Sequence, residues 1–532
     1  MSSPDREAFH VYDTTLRDGA QQEGLSLTVA DKLAIARHLD GLGVGFIEGG
    51  WPGANPKDTA FFARAKADLD LRHAQLAAFG ATRRAGVAAA DDPLVAALRD
   101  SGAGVVTLVA KSHDRHVELA LRTTLEENLA MVRDTVAHLR AEGQRVFLDA
   151  EHFFDGYRAN RDYALEVLRT AFEAGAEVAA LCDTNGGMLP AWVADVVHDV
   201  VTSTGGRVGI HCHNDTGCAV ANSLAAVDAG ATHVQGTVNG YGERTGNADL
   251  IAVVANLELK LERPVLPPGL LREATRIAHA VAEVTNVPPS SRQPYVGTSA
   301  FAHKAGLHAS AIKVDPDLYQ HMDPLGVGND MRLLVSDMAG RASIELKGRE
   351  LGFDLSGDDP DTRALVTRVT ERVKVLEARG HTFEAADASF ELLLAEEVEG
   401  RRPSYFEVES WRVITETRPD GEAVSEATVK LVADGVRYVV TGEGNGPVNA
   451  LDQALRTAIG QAYPAVAEFE LIDYKVRILD QGHGTDAITR VLIETSDGAS
   501  SWVTVGVGAN LVEASWGALV DGLTFGLRRH GL

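Results

Sequence analysis

Over the first 260 positions, apolar residues come in short, regularly spaced bursts: FHVYDTT, GVGFIEGG, LAAFGATR, GVVTLVAK, RVFLDAEHF, EVAALCDTNGG, RVGIHCHND and THVQGTVNGYGE. Each is short, mostly apolar and closed by polar or glycine residues, which predicts a buried strand. Between the bursts the spacing turns helical. TVADKLAIARHLDGLG opens on a capping Thr28, carries apolar residues at helical intervals and closes on Gly43. Strand and helix in alternation predict parallel strands joined by crossover helices, and eight such units predict a closed barrel rather than an open sheet. The expected fold class is therefore α/β, with a (β/α)8 TIM barrel over residues 1–285.

Beyond the barrel the pattern changes twice. Residues 286–404 are loop-rich and then amphipathic-helical, which predicts a helical linking subdomain. From 405 to 532 alternating β-branched residues predict an α+β domain with an internal repeat. Asp434-Gly435 matches Asp497-Gly498, and Val440-Thr441 matches Val503-Thr504, at an offset of 63 residues. Each copy reads as a hairpin turning at Asp-Gly, a glycine-rich turn and a helix. Two such copies leave a groove suited to a small ligand or to dimer contacts.

Composition narrows the function. The chain has 532 residues and a net charge of −25, which argues against nucleic acid or an anionic membrane as partner. An anionic substrate needs a local cationic pocket to overcome that field. No apolar run reaches membrane-spanning length, and the opening MSSPDREAFH lacks the features of a signal peptide, so a cytoplasmic location is expected. Three cysteines without a CxxC pair argue against a disulfide framework or a structural zinc cluster.

In such barrels chemistry gathers where the strands end. The bursts end on Arg17-Asp18, Glu48, Arg83, Lys111, Glu151, Asp183-Thr184, His211 to His213 and Asn239. His211 and His213, two apart on a strand, point to one face and Cys212 to the other. Their strand is the seventh of eight, taken as next to the first around the barrel, so that Asp18 comes within reach. One carboxylate and two imidazoles leave open positions on a divalent cation, the pattern of a catalytic metal. Asn247 is either a further ligand or a helix N-cap. Gly240, Gly242 and Gly246 lie before a helix start, where backbone N–H groups receive an anion such as a CoA phosphate; their spacing is not a dinucleotide fingerprint. A metal beside Arg17 suits a 2-oxo acid, with the guanidinium neutralising charge on the keto oxygen. Glu151 and His308 are the candidate bases.

DTTLRDG, HCHNDTGCAVANSLAAVDAGATHVQGTVNGYGERTGNADL and HKAGLHASAI resemble the isopropylmalate/homocitrate synthase family of metal-dependent Claisen-condensing barrels. IEGGWPGANPKD and LDAEHFFDGYRAN are most similar to its pyruvate-using branch. The resemblance implies Asp18, His211, His213 and Asn247 as ligands of a divalent cation (manganese, magnesium, zinc or cobalt) and Arg17 over the keto acid. It implies Thr184 at the keto-acid carboxylate, and Glu151, His308 and Tyr319 in acid/base and water-activating roles. The implied substrates are acetyl-CoA and pyruvate. A C-terminal regulatory domain then binds an end product, with isoleucine as the expected effector, in a homodimer. Three other readings stay open: a larger 2-oxo acid in the same chemistry, against which Trp51 would narrow the pocket toward the methyl group of pyruvate; a carbon–carbon lyase; and a non-catalytic metabolite sensor.

Overall fold

The computed structural model describes residues 8–304, 306–357, 359–419, 421–479 and 487–531. The chain's first seven residues, on which part of the signal-peptide argument falls, lie outside the described residues.

All eight apolar bursts are strands: β1 (His10–Asp13), β2 (Phe46–Gly50), β3 (Gln75–Ala81), β4 (Val105–Lys111), β5 (Arg145–Glu151), β6 (Val178–Asp183), β7 (Val208–Cys212) and β8 (His233–Gly236). They form a closed parallel barrel in sequence order, and β1 pairs with β8, His10 opposite His233 and Asp13 opposite Gly236. One expectation is corrected here. β7 does not adjoin β1, because β8 lies between them; Asp18 reaches the histidines from the turn that follows β1, which folds over the barrel mouth.

Alternation along each strand sorts the side chains. Tyr12, Phe46, Ala77, Val105, Phe147 and Val178 form a separate cluster inside the barrel, while the opposite faces join the helices in the main core. The helix Val29–Leu42 starts in the expected way, Thr28 and Asp31 capping each other. Gly209 of β7 has a steric reason: a Cβ there would lie 2.7 Å from Cδ2 of His233 and 3.2 Å from the Ala180 backbone.

The described chain divides into two compact units, Met1–Phe301 with Met322–Asp330, and Ala302–His321 with Met331–Leu532. The 286–404 segment is divided between the two. Tyr295, Val296, Phe301 and Val327 are part of the barrel's core. The rest of the segment belongs with the C-terminal repeat: from the helix Asp387–Glu399, Ala388 and Leu392 enter the repeat's core and the Ser389 hydroxyl accepts the Val505 N–H.

Within the second unit, β9 (Ala302–His303) and β10 (Arg332–Leu333) form a short parallel pair. Each repeat copy has one strand more than the sequence predicts. β11 (Phe406–Thr417), β12 (Ala423–Ala433) and β13 (Val436–Gly444) form one antiparallel sheet with the helix Pro447–Gly460. β14 (Glu470–Ile478), β15 (Thr489–Ser496) and β16 (Ser501–Gly508) form the other with the helix Leu511–Arg529. β11 and β14 are mostly exposed along their length, so their apolar content is too sparse to signal a strand.

Candidate metal centre and active site

Asp18 sits in a tight turn held by Arg17 N–H and Gly19 N–H donating to the Thr14 carbonyl. Its Oδ2 lies 3.4 Å from His211 Nε2 and 4.0 Å from His213 Nε2. Among the described residues, Asp18, His211 and His213 are the one group of three acidic, thiol or imidazole side chains whose ligand atoms converge, all within 4.8 Å of one another. Ligands about 2.1 Å from one ion stand roughly 3–3.5 Å apart, so a small contraction would let these side chains hold a divalent cation.

Asn247 adjoins the group. Its Nδ2 donates to Asp18 Oδ1 at 3.2 Å and to the Tyr241 carbonyl at 3.0 Å, while its Oδ1 is buried with no partner. A buried acceptor without a donor costs ~1–3 kcal/mol, and a cation would satisfy it. Asn247 is not the helix N-cap; Asp249 caps Leu250–Leu259 by accepting the Ile251 N–H.

The electrostatics suit a metal site. Burial alone would raise the Asp18 carboxyl, but Arg17, His211 and His213 outweigh it and hold it below the usual carboxylate range. Burial lowers the His211 imidazole to about 4, against the pull of Asp18, and burial likewise lowers His213. The group is thus one carboxylate and two neutral imidazoles at neutral pH, the ligating forms of all three.

Arg17 is clamped from three sides. Its Nε donates to Glu48 Oε2 at 2.5 Å, its Nη1 to Asp18 Oδ2 at 3.1 Å, and its guanidinium carbon lies 3.8 Å from the centroid of Phe79. Glu48 is itself anchored by the Tyr12 hydroxyl at 2.8 Å. Burial would weaken the Arg17 charge, but Glu48 and Asp18 keep it firmly protonated.

A cavity of about 630 Å³ opens over these groups and takes in Trp51, Phe79, Lys111, Asp149, Glu151, Thr184 and Arg244 as well as Arg17, Asp18, His211 and His213. Glu151 pairs with Lys111, its register partner on β4. The Thr184 hydroxyl accepts the His152 N–H at 2.9 Å. Arg17, Arg83, Arg84, Lys111 and Arg244 bring cationic groups to the wall of an otherwise acidic protein.

Several strand-end residues have other duties. Arg83 is tied to Glu127 and Asp134, Asp183 accepts the Gly187 and Met188 N–H groups, and Asn239 donates to Tyr241 and to the Ala278 carbonyl. Of the anion cradle expected at Gly240, Gly242 and Gly246, the Gly240 and Gly246 N–H groups donate to the Thr237 and Glu243 carbonyls within the loop. These glycines are needed for shape. A Cβ on Gly246 would lie 2.0 Å from the Gly240 carbonyl oxygen, and one on Gly242 would lie 2.3 Å from Asn247 Nδ2. His308 and Tyr319 belong to the second unit, where their rings stack with centroids 4.2 Å apart.

The sequence pattern left three buried polar residues without a role: Glu48, Asp149 and Gln235. Their signal is alternation, since Asp149 precedes Glu151 by two and Gln235 follows the buried His233 by two. Burial, then Glu48, raises the Asp149 carboxyl to about 7.

Residues 8–280 match the HMGL-like family, residues 295–381 the homocitrate synthase post-HMGL domain-like family, and residues 384–527 the LeuA allosteric (dimerisation) domain. An (R)-citramalate synthase of Streptomyces coelicolor is 70% identical over 99% of this chain and 98% of its own length. The chain belongs to the citramalate synthase family. Other (R)-citramalate synthases, from Synechocystis sp. and Aquifex aeolicus, are 49% and 48% identical, each over 98% of this chain and 97% and 98% of their own. Citramalate synthases are acyl transferases, so the barrel is that of an enzyme, and the sensor reading falls away.

Proposed function

We propose that the barrel condenses acetyl-CoA with pyruvate and hydrolyses the thioester, giving (R)-citramalate, the product named in the relatives, and CoA. The observation that carries this reading is the convergence of Asp18, His211 and His213 beside a clamped, protonated Arg17. These three side chains and the orphaned Asn247 Oδ1 would hold the metal, and a divalent cation there supplies Lewis acidity to a bound 2-oxo group. Arg17 has two of its nitrogens bonded, leaving Nη2 directed by a fixed frame for an oxygen on which charge develops. Phe79 and Trp51, edge-on with centroids 5.6 Å apart, set an apolar wall suited to a methyl group. Glu151, with Thr184 for the carboxylate, and the stacked His308 and Tyr319 are the acid/base and binding groups of this reading.

The test is thiol release from acetyl-CoA across pyruvate, 2-oxobutyrate and 2-oxoisovalerate, with and without chelator. Pyruvate is expected to have the highest kcat/KM, and chelation or Asp18→Ala to abolish turnover. Preference for 2-oxoisovalerate overturns the substrate assignment.

We also propose a homodimer in the cytoplasm, a compartment that suits three free thiols, inhibited by isoleucine as end product. Support for an effector comes from a cavity of about 560 Å³ between the two repeat copies, lined by Val448, Asn449, Asp452, Arg456, Tyr474 and Leu511. Val448→Trp fills it and is expected to abolish isoleucine inhibition while citramalate formation without isoleucine persists. Inhibition at the wild-type isoleucine concentration in that variant removes the assignment.

A further inference from the structure

Beneath the metal centre, three strands bring side chains to one level inside the barrel. His211 and Gln235 are register partners on β7 and β8, and Asp149 reaches them from β5 across the lumen. Gln235 Nε2 lies 2.8 Å from Asp149 Oδ1, and Gln235 Oε1 lies 3.0 Å from His211 Nδ1. All three residues are almost fully buried.

The chemistry of the partners favours one arrangement. With Asp149 ionised, or protonated on Oδ2, its Oδ1 accepts, and the amide turns its NH2 toward it. The neighbouring His233 Nε2, 3.3 Å away, lies on the same NH2 side. The amide oxygen then faces His211, and because a carbonyl oxygen only accepts, His211 Nδ1 carries the proton. His211 Nε2 keeps its lone pair, and this is the nitrogen that faces Asp18. Turned over, the amide would offer N–H to Nδ1, move the proton to Nε2 and remove a ligand.

We propose that Asp149 and Gln235 are positioning residues that fix the tautomer and ring orientation of His211 for the cation. This rests on the reading of Asp18, His211 and His213 as its ligands. Outer partners of this kind typically change metal affinity 10- to 100-fold when removed.

The experiment measures affinity of the full-length protein for Mn²⁺ and for Zn²⁺ alone, without substrate, by competition with a chromogenic chelator. Gln235→Leu and Asp149→Ala are expected to weaken binding about 10- to 100-fold. Asp149→Asn, which still offers an oxygen to the Gln235 amide, is expected to stay closer to wild type than Asp149→Ala. A purely structural role would lower the melting temperature of all three variants without this ordering. Should Gln235→Leu fail to fold, Gln235→Met, nearer in length and shape, carries the same expectation. Wild-type affinity in both Gln235→Leu and Asp149→Ala overturns the proposal. Absence of stoichiometric binding by the wild-type protein instead overturns the metal centre, so the two failures are distinguishable.

Discussion

At the scale of single residues, the site depends on charges that stabilise each other away from water. Arg17 shows this most clearly: Glu48 below, Asp18 beside and Phe79 against its face leave it little freedom. A lysine preserves the charge but not the planar fork that reaches Glu48 and Asp18 at once. Arg17→Lys is therefore expected to lower kcat by ~10²–10³ while metal affinity changes far less, the magnitude seen when one oxyanion donor is removed. Steady-state kinetics on pyruvate together with metal titration check it; an unchanged kcat refutes the assigned role. Arg17 and Asp18 drew attention in the sequence because a polar pair closes a buried strand, although a turn or a local ion pair would look the same. Glu48, Asp149 and Gln235 were left without a role, because one carboxylate or amide in an apolar burst looks like any strand-end polar group until its partners are known.

At the scale of elements, the strands carry different chemistry at their two ends. The end opposite the active site buries His10 and His233, Nδ1 to Nδ1 at 3.3 Å, and Arg207 approaches His10 Nε2 at 2.5 Å. Burial first, then Arg207 and Arg145, lowers the His10 imidazole to about 3 from its ordinary 6.5. Between those values the unfolded chain binds a proton that the folded chain refuses, so this contribution to stability is complete above about 6.5 and is lost as pH falls toward 3. Its slope is at most ~1.4 kcal/mol per pH unit per group. Urea midpoints measured from pH 7 to pH 4.5 are expected to rise in His10→Phe relative to wild type as pH falls; an identical slope in that variant removes His10 as a cause. The eight strands were legible because buried parallel strands are apolar throughout. β11 and β14 escaped notice because an exposed outer strand needs little apolar content.

For the whole molecule, the boundary between units matters more than the order of motifs. The helix Asp387–Glu399 looks like part of a linker, yet it buries Ala388 and Leu392 in the core of the repeat and Phe390, Leu393 and Leu394 in the helical core beside it. A chain ending near residue 400 would expose that apolar surface to water. It is expected to aggregate, as followed by light scattering against the full-length protein; a monodisperse, well-expressed product contradicts the shared core. Net charge acts on this scale as well. An overall −25 would repel pyruvate, and the cationic groups at the barrel mouth are the local remedy.

Local patterning was enough to determine eight parallel strands, the direction in which His211 and His213 point, and the presence of a repeated βα unit, because each follows from periodicity within a few residues. Tertiary structure alone decided that β8 separates β7 from β1, that a turn carries Asp18 across that gap, and that Asp149 meets Gln235 from the far wall of the barrel. Those facts join residues up to 229 positions apart, as Asp18 and Asn247 are, and contacts at such separation leave no periodic trace in the chain. They come into being only when the sheet closes.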